Sequence, residues 1–393
     1  MDVAIRFDEI ELPETWGRVR VPDALSRARF RVGKVPRQEY LPVGRYPVVD
    51  QGQSLIAGYC DDAASLYDGR LPVVVFGDHT RVFKLIAFPF VSGADGTKVL
   101  VPDRDLFDPE FMFYALSALG LPSRGYNRHF SLLREKTLPR PPMEEQRAIA
   151  RVLRSVEKGR ETTQQVLAVS RDLKRSFLER VFRDGLVSLA DDPDREPWPT
   201  VSLAEVVPTD RPICYGILKP GPDIDDGVPY VKVRDYPDGA IHVGRVHRTS
   251  RLIAEQYRRS TLRGGDVLVS IRGTTGRVAV VPAELDGANI TQDTARVTVD
   301  PRYNGDYVSY ALQASPSQSY IREWTRGAAV KGINIRDLRR LRLPSPPAQV
   351  QSEIAAALRT LDSKISAEAA RATALDALFN ALLRDLMTGQ ARV

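Results

Sequence analysis

The feature that most constrains this 393-residue chain is a helical stretch that begins after paired prolines and occurs twice. The first copy starts at Leu138 with LPRPPMEEQRAIA, and the second starts at Leu343 with LPSPPAQVQSEIA. The two copies lie 205 residues apart, which is far longer than the unit of a repeat solenoid. The sequence therefore predicts a duplicated module, in which a globular domain is followed by a long helix.

The second copy has the 3.5-residue hydrophobic period that is typical of a coiled coil. Stripe positions alternate in steps of four and three from Ile354 to Leu386 and are apolar except for Glu368. The first copy keeps the pattern near Ile149 and Val181 but has polar residues between them. At 1.5 Å per residue, each helix would be about 50 to 60 Å long. A pair of ordinary core helices is the alternative, which the Pro-Pro boundaries and alanine-rich middles disfavour.

Both globular modules have the pattern of strand-rich α/β domains. Each opens with a tryptophan, Trp16 or Trp198, followed by alternating apolar residues that predict a short opening strand. Gly, Asp and Pro turns then separate β-branched and aromatic runs. The runs predicted as strands are 46–50, 71–78 and 81–91 in the first module, and 228–236, 265–273, 276–282 and 292–300 in the second.

The distribution of charge favours a nucleic-acid partner for the second module. The net charge is +6, and residues 198–345 hold 21 Lys and Arg against 16 Asp and Glu, whereas the helices are neutral. A basic globular module suits DNA, although solubility alone also explains such an excess. The sequence has no apolar run long enough for a membrane helix, and its N-terminal stretch is too acidic for a signal peptide. Its two cysteines, Cys60 and Cys214, suit a reducing compartment. We therefore expect a cytoplasmic protein without a membrane partner.

These motifs resemble those of a known family. LPRPPMEEQRAIARVL with LKRSFLERVFRDG, and LPSPPAQVQSEIAAALRTLDSKI with LFNALLRDLMTG, are similar to the two conserved helical regions of type I restriction-modification specificity subunits. LRGGDVLVSIRGTTGRVAVV and ANITQDTARV resemble the target-recognition domain of that family. The resemblance implies an α/β fold in which two strand-rich target-recognition domains are separated by two long antiparallel coiled-coil helices, pseudo-twofold and pseudo-circular. We expect recognition domains at 1–140 and 198–345, spacer helices at 141–186 and 346–393, and a linker at 187–197.

The turn from Arg272 to Arg277 is the best-defined candidate for a DNA contact. Its glycines permit a tight turn that projects hydroxyl and guanidinium groups from the end of a sheet. A second Gly-rich loop holds Arg326 and Lys331, although an ordinary charged hairpin explains any one of these residues equally well. The predicted DNA-binding residues are Gln51, Gln53, Tyr126, Asn127, Arg128, Arg272, Thr274, Thr275, Arg277, Asn289, Gln292, Arg326, Lys331 and Asn334.

The polar starts of the two long helices are candidates for binding other proteins, because the first N–H groups of a helix lack intrahelical acceptors. The predicted partner-binding residues, all expected to be exposed, are Glu144, Glu145, Gln146, Gln349 and Gln351. The resemblance implies that the partners are double-stranded DNA, two methyltransferase (modification) subunits, and restriction/translocase subunits.

The sequence lacks the motifs of a catalytic site. No methyltransferase N-P-P-[FY], no G-x-G-x-x-G and no phosphate-binding G-x-x-x-x-G-K-[ST] occurs, and the four histidines lack metal-ligand spacing. We therefore expect no cofactor, no metal and no catalysis. Instead, the resemblance implies a subunit that reads a bipartite DNA site and directs adenine methylation and restriction by its partners. The alternatives are a stand-alone DNA methyltransferase or nuclease with degenerate motifs, and a helical scaffold without a DNA role.

Overall fold

The computed structural model describes residues 4–122, 128–183, 198–327 and 331–393. The chain divides into two compact units, Met1–Gln165 with Glu368–Val393, and Val166–Ala367. Each unit contains one globular module, the start of the long helix that follows it, and the end of the other long helix. The predicted fold class, strand-rich α/β domains with two long antiparallel helices, is confirmed.

The first globular module contains three small sheets, one mixed and two antiparallel, with a fully buried central strand. Its valine-rich run forms that strand because a continuous apolar segment needs cover on both faces. The sheets have the strand orders β2-β7-β3-β4, β6-β5-β8 and β1-β9. The elements are β1 (Gly17–Arg20), β2 (Lys34–Val35), β3 (Tyr46–Val49), β4 (Gly58–Cys60), β5 (Val73–Gly77), β6 (Phe83–Ile86), β7 (Val91–Gly93), β8 (Thr97–Leu100), α1 (Pro109–Ala118), α2 (Phe130–Arg134), β9 (Thr137–Arg140) and the long helix α3 (Met143–Phe182).

The second globular module repeats this plan. Its sheets have the orders β11-β17-β14-β15, β13-β12-β16 and β10-β18, and β14 takes the central place of β5. The elements are β10 (Thr200–Ser202), β11 (Cys214–Tyr215), β12 (Val228–Val231), β13 (His247–Thr249), α4 (Arg251–Gln256), β14 (Val267–Ser270), β15 (Val278–Val280), β16 (Asn289–Ile290), β17 (Thr294–Val297), α5 (Gly305–Gln313), α6 (Ser315–Trp324), α7 (Ile335–Leu338), β18 (Arg342–Pro344) and the long helix α8 (Ala348–Thr388).

In each module the opening strand pairs with the strand that leads into the long helix. Gly17 lies opposite Arg140 in the antiparallel pair β1-β9, and Thr200 lies opposite Pro344 in the pair β10-β18. The predicted opening strands after the tryptophans are therefore confirmed. Because first and last strands are joined, each module closes on itself before the prolines start the helix.

Two of the predicted strands are wrong in extent. The run 81–91 forms two strands, β6 and β7, with Pro89 between them, and proline has no N–H to donate to a sheet. The run 228–236 ends as a strand at Val231. The Asp235 carboxylate accepts a hydrogen bond from the Lys232 backbone N–H at 2.8 Å, which turns the chain away from the sheet.

The long helices pair antiparallel within each unit. In the first unit Arg160 on α3 pairs with Asp376 on α8, with 2.6 Å between nitrogen and oxygen. The Arg160 guanidinium also lies 4.6 Å from the centre of the Phe379 ring, so the paired helices accommodate this polar interruption of the stripe. In the second unit Lys174 pairs with Asp362, also at 2.6 Å.

The hydrophobic stripe of α8 lies in these contacts, as its period predicts. Ile354 and Leu358 are buried in the second unit, and Phe379 and Leu386 are buried in the first. Polar stripe positions of α3 are also buried, and Thr163 is 2% exposed. The heptad period therefore marks the packed face even where the residue is not apolar.

Candidate nucleic-acid interface

The turn between β14 and β15 is a tight loop built on two glycines with positive φ. Gly273 has φ 69° and Gly276 has φ 87°, a left-handed conformation that glycine adopts without the strain of a Cβ. Ser270 closes the turn, because its carbonyl accepts from the Gly276 N–H at 2.9 Å and its Oγ accepts from the Arg277 N–H at 2.8 Å. Arg272, which precedes the first glycine, and Thr274, which lies between the two, are exposed.

Two loops from other parts of the chain meet this turn. The Arg272 guanidinium donates from Nη1 to Oε1 of Gln292 at 2.9 Å. The backbone carbonyl of Lys331 accepts from the Gly273 N–H at 2.9 Å. Residues 271–277, 291–293 and the described part of 325–334 therefore form one continuous surface.

Arg326 joins the same surface. Its backbone exchanges two hydrogen bonds of 2.9 Å with Gly332, and its guanidinium carbon lies 5.3 Å from the centre of the Trp324 ring. We define the loop surface of the second unit by its long polar side chains, Arg272, Gln292, Arg326 and Lys331. Three of these four are exposed cations and Gln292 is half-buried.

The loop surface has the chemistry to bind DNA. A guanidinium donates a pair of hydrogen bonds to guanine O6 and N7, a carboxamide pairs with adenine, and ammonium groups bind phosphates. Gln292 uses only one donor-bearing nitrogen of Arg272, so it orients the guanidinium while leaving other N–H groups for a ligand. The arrangement suits both base reading and backbone contact.

Two other residues predicted to contact DNA in this unit are less accessible. Asn289 is 1% exposed, and its amide bonds to the Ser260 hydroxyl and the Tyr257 carbonyl. The structure thus places Asn289 inside the module, contrary to the prediction, because its strand β16 is covered on both sides. Arg277 is half-buried and donates to the Val233 carbonyl at 3.2 Å.

Two threonines and an asparagine complete the predicted set in this unit. Thr275 is half-buried, with its hydroxyl 3.2 Å from that of Thr325, whereas Thr274 and Asn334 are exposed. Asn334 precedes α7, and its side chain makes no capping hydrogen bond to that helix. Thr274 and Asn334 therefore remain candidates beside the loop surface.

In the first unit, Gln51 and Gln53 lie on a loop that is held by hydrogen bonds to His79 and to the buried Lys84. Gln51 Oε1 accepts from the His79 N–H at 3.2 Å, while Gln53 is exposed. Lys84, only 5% exposed, donates from Nζ to the carbonyls of Asp50 and Ser54 at 2.7 and 2.6 Å. Burial lowers the pKa of Lys84 and the Asp50 carboxylate opposes that shift.

The residues that follow β5 link this loop to Arg128. The Asp78 carbonyl accepts from the His129 N–H at 2.9 Å, and the Asp78 carboxylate accepts from the Phe130 N–H at 2.7 Å. In the second unit the carbonyl of Ile271, which follows β14, accepts from the N–H of residue 333 in the same way. Arg128 is exposed, and the predicted Tyr126 and Asn127 lie outside the described residues.

Sequence reasoning missed Arg81, which lines a surface cavity of about 450 Å³ together with Gln53 and Thr80. Arg81 has φ 63°, unusual for a residue with a side chain, and donates to the Leu121 carbonyl at 2.9 Å. Nothing in the local sequence marks this position. The turn at residues 78–82 occupies the topological place of the turn at 271–277 in the other unit.

The glutamines at the helix starts are buried, contrary to the expectation that they face solvent. Gln146 is 1% exposed, accepts from the Asp108 N–H at 2.8 Å, and donates to the carbonyls of Leu106 and Pro141 at 2.9 Å. Gln351 is 2% exposed and makes equivalent bonds to the Asn304 N–H and the Pro346 carbonyl. Both glutamines fasten a long helix to its own module.

The glutamates at the first helix start have different environments. Glu145 accepts from the Trp16 indole N–H at 3.0 Å and from Arg392 Nη2 at 3.1 Å, which ties the end of the chain to the first module. Glu144 is exposed, as is Gln349 at the second helix start. Only Glu144 and Gln349 of the five predicted partner-binding residues have the exposure expected of them.

Among residues 4–122, 128–183, 198–327 and 331–393, no group of three or more His, Cys, Asp or Glu side chains is arranged to hold a metal ion. No helix in that part of the chain is long and apolar enough to cross a membrane.

Comparison with known proteins agrees with the motifs. Residues 195–377 match the family model described as the type I restriction modification DNA specificity domain. The specificity subunit of the Escherichia coli type I restriction enzyme EcoBI is 27% identical over 276 residues, covering 64% of this chain and 58% of that protein. The putative MjaX specificity subunit of Methanocaldococcus jannaschii is 23% identical over 322 residues, covering 75% and 71%. The chain thus spans a little over half the length of the E. coli relative.

Solved structures show the same fold. The type I restriction-modification S subunit of M. genitalium superposes with a TM-score of 0.66 at 16% identity, over 96% of each chain. A chain from a structural study of complex assembly and conformational transition in a type I restriction-modification system gives a TM-score of 0.54 at 18% identity, over 97% of this chain and 100% of that one. At these identities the likeness concerns the fold.

Proposed function

Because residues 195–377 match the family model of the type I restriction modification DNA specificity domain, we propose that this chain is the DNA-reading specificity subunit of a type I restriction-modification complex. It binds a bipartite DNA sequence and positions partner subunits that methylate adenine or cleave DNA. The chain itself performs no chemistry. This assignment is preferred to a stand-alone enzyme because the exposed polar groups suit DNA contact.

The observation that carries this proposal is the loop surface of the second unit. It lies inside the family-matched region and brings together three exposed cations and a carboxamide from segments up to about sixty residues apart. An ordinary charged hairpin would use neighbouring residues of one turn. A surface assembled from separate loops and held by the Arg272–Gln292 hydrogen bond instead suits contact with DNA base edges and phosphates.

The duplication supports a bipartite target. Each unit has a central strand, β5 or β14, followed by a turn whose backbone bonds to a later loop, so each has a surface in the same topological position. The sequences of the two turns differ completely, with Asp78 and His79 in one and Arg272 and Thr274 in the other. Two different surfaces on one scaffold would read two different half-sites.

The experiment requires the target sequence, which methylation mapping of host genomic DNA would supply. Arg272→Ala should then weaken binding of the full chain, with its methyltransferase partner, to the cognate duplex by about 1 to 3 kcal/mol. A duplex altered in the half-site that the second unit reads should show little further loss. Arg251→Ala, which removes the same charge from exposed α4, is the matched control and should bind as the wild type does.

The outcomes separate the possible roles of Arg272. Arg272 would be a phosphate contact if its loss weakened binding equally on all duplexes and reduced the slope of log binding constant against log salt concentration by about one. Unchanged binding of Arg272→Ala to every duplex would remove the loop surface from the proposed interface. No specific binding by the wild-type complex would refute the DNA-reading function itself.

Partner docking is a separate part of the proposal. Glu144 and Gln349 are exposed at equivalent starts of α3 and α8, so a pair of identical methyltransferase subunits could contact one start each. The double variant Glu144→Ala and Gln349→Ala should shift the complex towards free subunits on size-exclusion chromatography. An unchanged elution profile would exclude these residues as the docking site. Restriction/translocase subunits would join the assembled methyltransferase.

A further inference from the structure

A second cationic site lies in the second unit, apart from the loop surface. It is a surface cavity of about 260 Å³ beside β11 and the turn at residues 258–260. Four arginines contribute to its wall, but none belongs to the loop surface. The lining residues are Asp210, Arg211, Pro212, Cys214, Arg258, Arg259 and Arg296.

Arg296 is the unusual member of this cavity. It lies in β17, is 2% exposed, and is the largest fully buried side chain of the described residues. Its Nη1 donates to the Arg259 carbonyl at 2.7 Å and its Nη2 donates to the Pro212 carbonyl at 3.0 Å. Its Nε is buried without a hydrogen-bond acceptor. The guanidinium is therefore held in place by neutral oxygens, with donor capacity left over.

The nearest internal carboxylate is already used. Asp266 accepts from Arg211 Nη2 at 3.1 Å and from the Thr298 hydroxyl at 2.6 Å, so its carboxylate is hydrogen-bonded to Arg211 and not to Arg296. Burial lowers the pKa of Arg296, as expected for a charge taken out of water. A buried cation of this kind is costly unless an anion lies close to it.

The rest of the wall is also positive. Arg259 is exposed at the rim, and Arg258 pairs with Glu255 at 3.8 Å, while Asp210 contributes one negative charge. The Cys214 thiol does not supply the missing anion, because burial raises its pKa and keeps it protonated near neutral pH. Several guanidinium groups around a small cavity match the geometry of a phosphate, whose oxygens accept pairs of N–H donors.

We propose that the cavity of Arg211, Arg258, Arg259 and Arg296 binds a phosphate group. Arg259 and Arg258 would contact its oxygens, while Arg296 supplies fixed positive charge from below. The phosphate belongs either to a free phosphorylated small molecule or to the backbone of bound DNA, and the experiment separates these sources. The site is distinct from base reading, because Arg296 lies two residues along β17 from Thr294, away from the turn that carries Arg272.

The first arm uses inorganic phosphate and the full chain. Phosphate should raise the thermal unfolding temperature more than chloride at the same ionic strength, because a ligand that binds only the folded state stabilises it. Arg259→Gln should weaken phosphate binding by about tenfold, the usual effect of losing one charge-assisted contact. This variant keeps the Arg259 carbonyl that holds Arg296 and Cys214. Arg251→Gln is the matched control and should behave as the wild type does.

Cys214 gives an independent readout, because it is a lining residue of the cavity whereas Cys60 is buried elsewhere. At alkaline pH, where the Cys214 thiolate forms, phosphate should slow alkylation of Cys214 by iodoacetamide, measured by mass spectrometry, in the wild type and in Arg251→Gln. In Arg259→Gln the protection should be largely lost. Equal stabilisation and equal protection in all three proteins would overturn the proposal, since the effect would not depend on the cavity.

The second arm uses the cognate duplex. If the phosphate is part of the DNA backbone, Arg259→Gln should reduce the slope of log binding constant against log salt concentration by about one. The preferred DNA sequence should not change. Such a result supports the site with DNA as its source, even if inorganic phosphate binds weakly. No phosphate effect together with an unchanged salt dependence would overturn the proposal. The phosphate arm needs no DNA, so it stays informative if the DNA-reading function fails.

Discussion

Replacing Gln146 with alanine should lower the free energy of unfolding of the first unit by about 3 kcal/mol, because three hydrogen bonds of roughly 1 kcal/mol each are lost. The three backbone groups concerned, on Leu106, Asp108 and Pro141, lie at 2.8 to 2.9 Å from the Gln146 carboxamide. Asp108 also caps α1 by accepting from two of its first N–H groups. Loss of Gln146 therefore loosens the starts of α1 and α3 together.

The measurement is urea denaturation followed by tryptophan fluorescence. In a background with Trp198→Phe and Trp324→Phe, the remaining Trp16 is buried in the first unit and reports on that unit. Gln351→Ala, in the second unit, loses two side-chain hydrogen bonds rather than three and should cost about 2 kcal/mol, read from Trp324 in a background with Trp16→Phe and Trp198→Phe.

Glu144→Ala provides the control, because it truncates a neighbouring exposed side chain and should change stability by no more than about 0.5 kcal/mol. A loss below about 1 kcal/mol for Gln146→Ala would refute the reasoning. It would mean that water or a rearranged neighbour satisfies the freed backbone groups. An unstable Glu144→Ala would equally show that the helix start is sensitive to any truncation.

Three further results are expected. Burial raises the pKa of Glu157 above its ordinary 4.5, although the hydrogen bond from Tyr114 opposes that shift. The favourable contribution of Glu157 to folding stability is therefore present below that value and is lost as pH rises through the folded pKa. Glu157→Gln should abolish this part of the decline in unfolding temperature, and an identical decline in both proteins would contradict the assignment. Asn289→Ala should lower the free energy of unfolding by about 1 to 3 kcal/mol without altering sequence preference, checked by denaturation and duplex binding. Arg392→Ala should cost only about 1 kcal/mol, because the ion pair between Arg392 and Glu145 is partly solvent-exposed. It should also change Trp16 fluorescence, because Glu145 accepts a hydrogen bond from the Trp16 indole N–H. Unchanged emission would contradict that contact.

The duplicated contacts show why the general plan was predictable. Arg154 on α3 pairs with Glu110 at 2.7 Å, and Arg359 on α8 pairs with Asp306 at 2.8 Å. Both arginines occupy the same position after the Pro-Pro boundary, 205 residues apart. A repeated segment in a repeated environment folds in the same way. The duplicated arrangement could therefore be predicted from the sequence repeat without knowledge of distant contacts.

The candidate site was less predictable. The glycines at 273 and 276 marked the tight turn, because left-handed backbone is a local property of glycine. The partnership of Arg272 with Gln292 depends instead on the register of β14 against β17, which brings two loops together. Arg277, in the same turn as Arg272, donates to the carbonyl of Val233, which is 44 residues away in the sequence.

The sequence by itself determined the two long helices, their packed faces and the repeat of a strand-rich module, because periodicity and proline act through local geometry. Only the tertiary structure decided that Gln146 is buried, that Asn289 lies inside, and that Arg296 is enclosed beside other arginines. A polar side chain carries no local signal of its destination. Its exposure is set by which distant backbone groups need a hydrogen-bond partner, and that is fixed only when strands and helices pack.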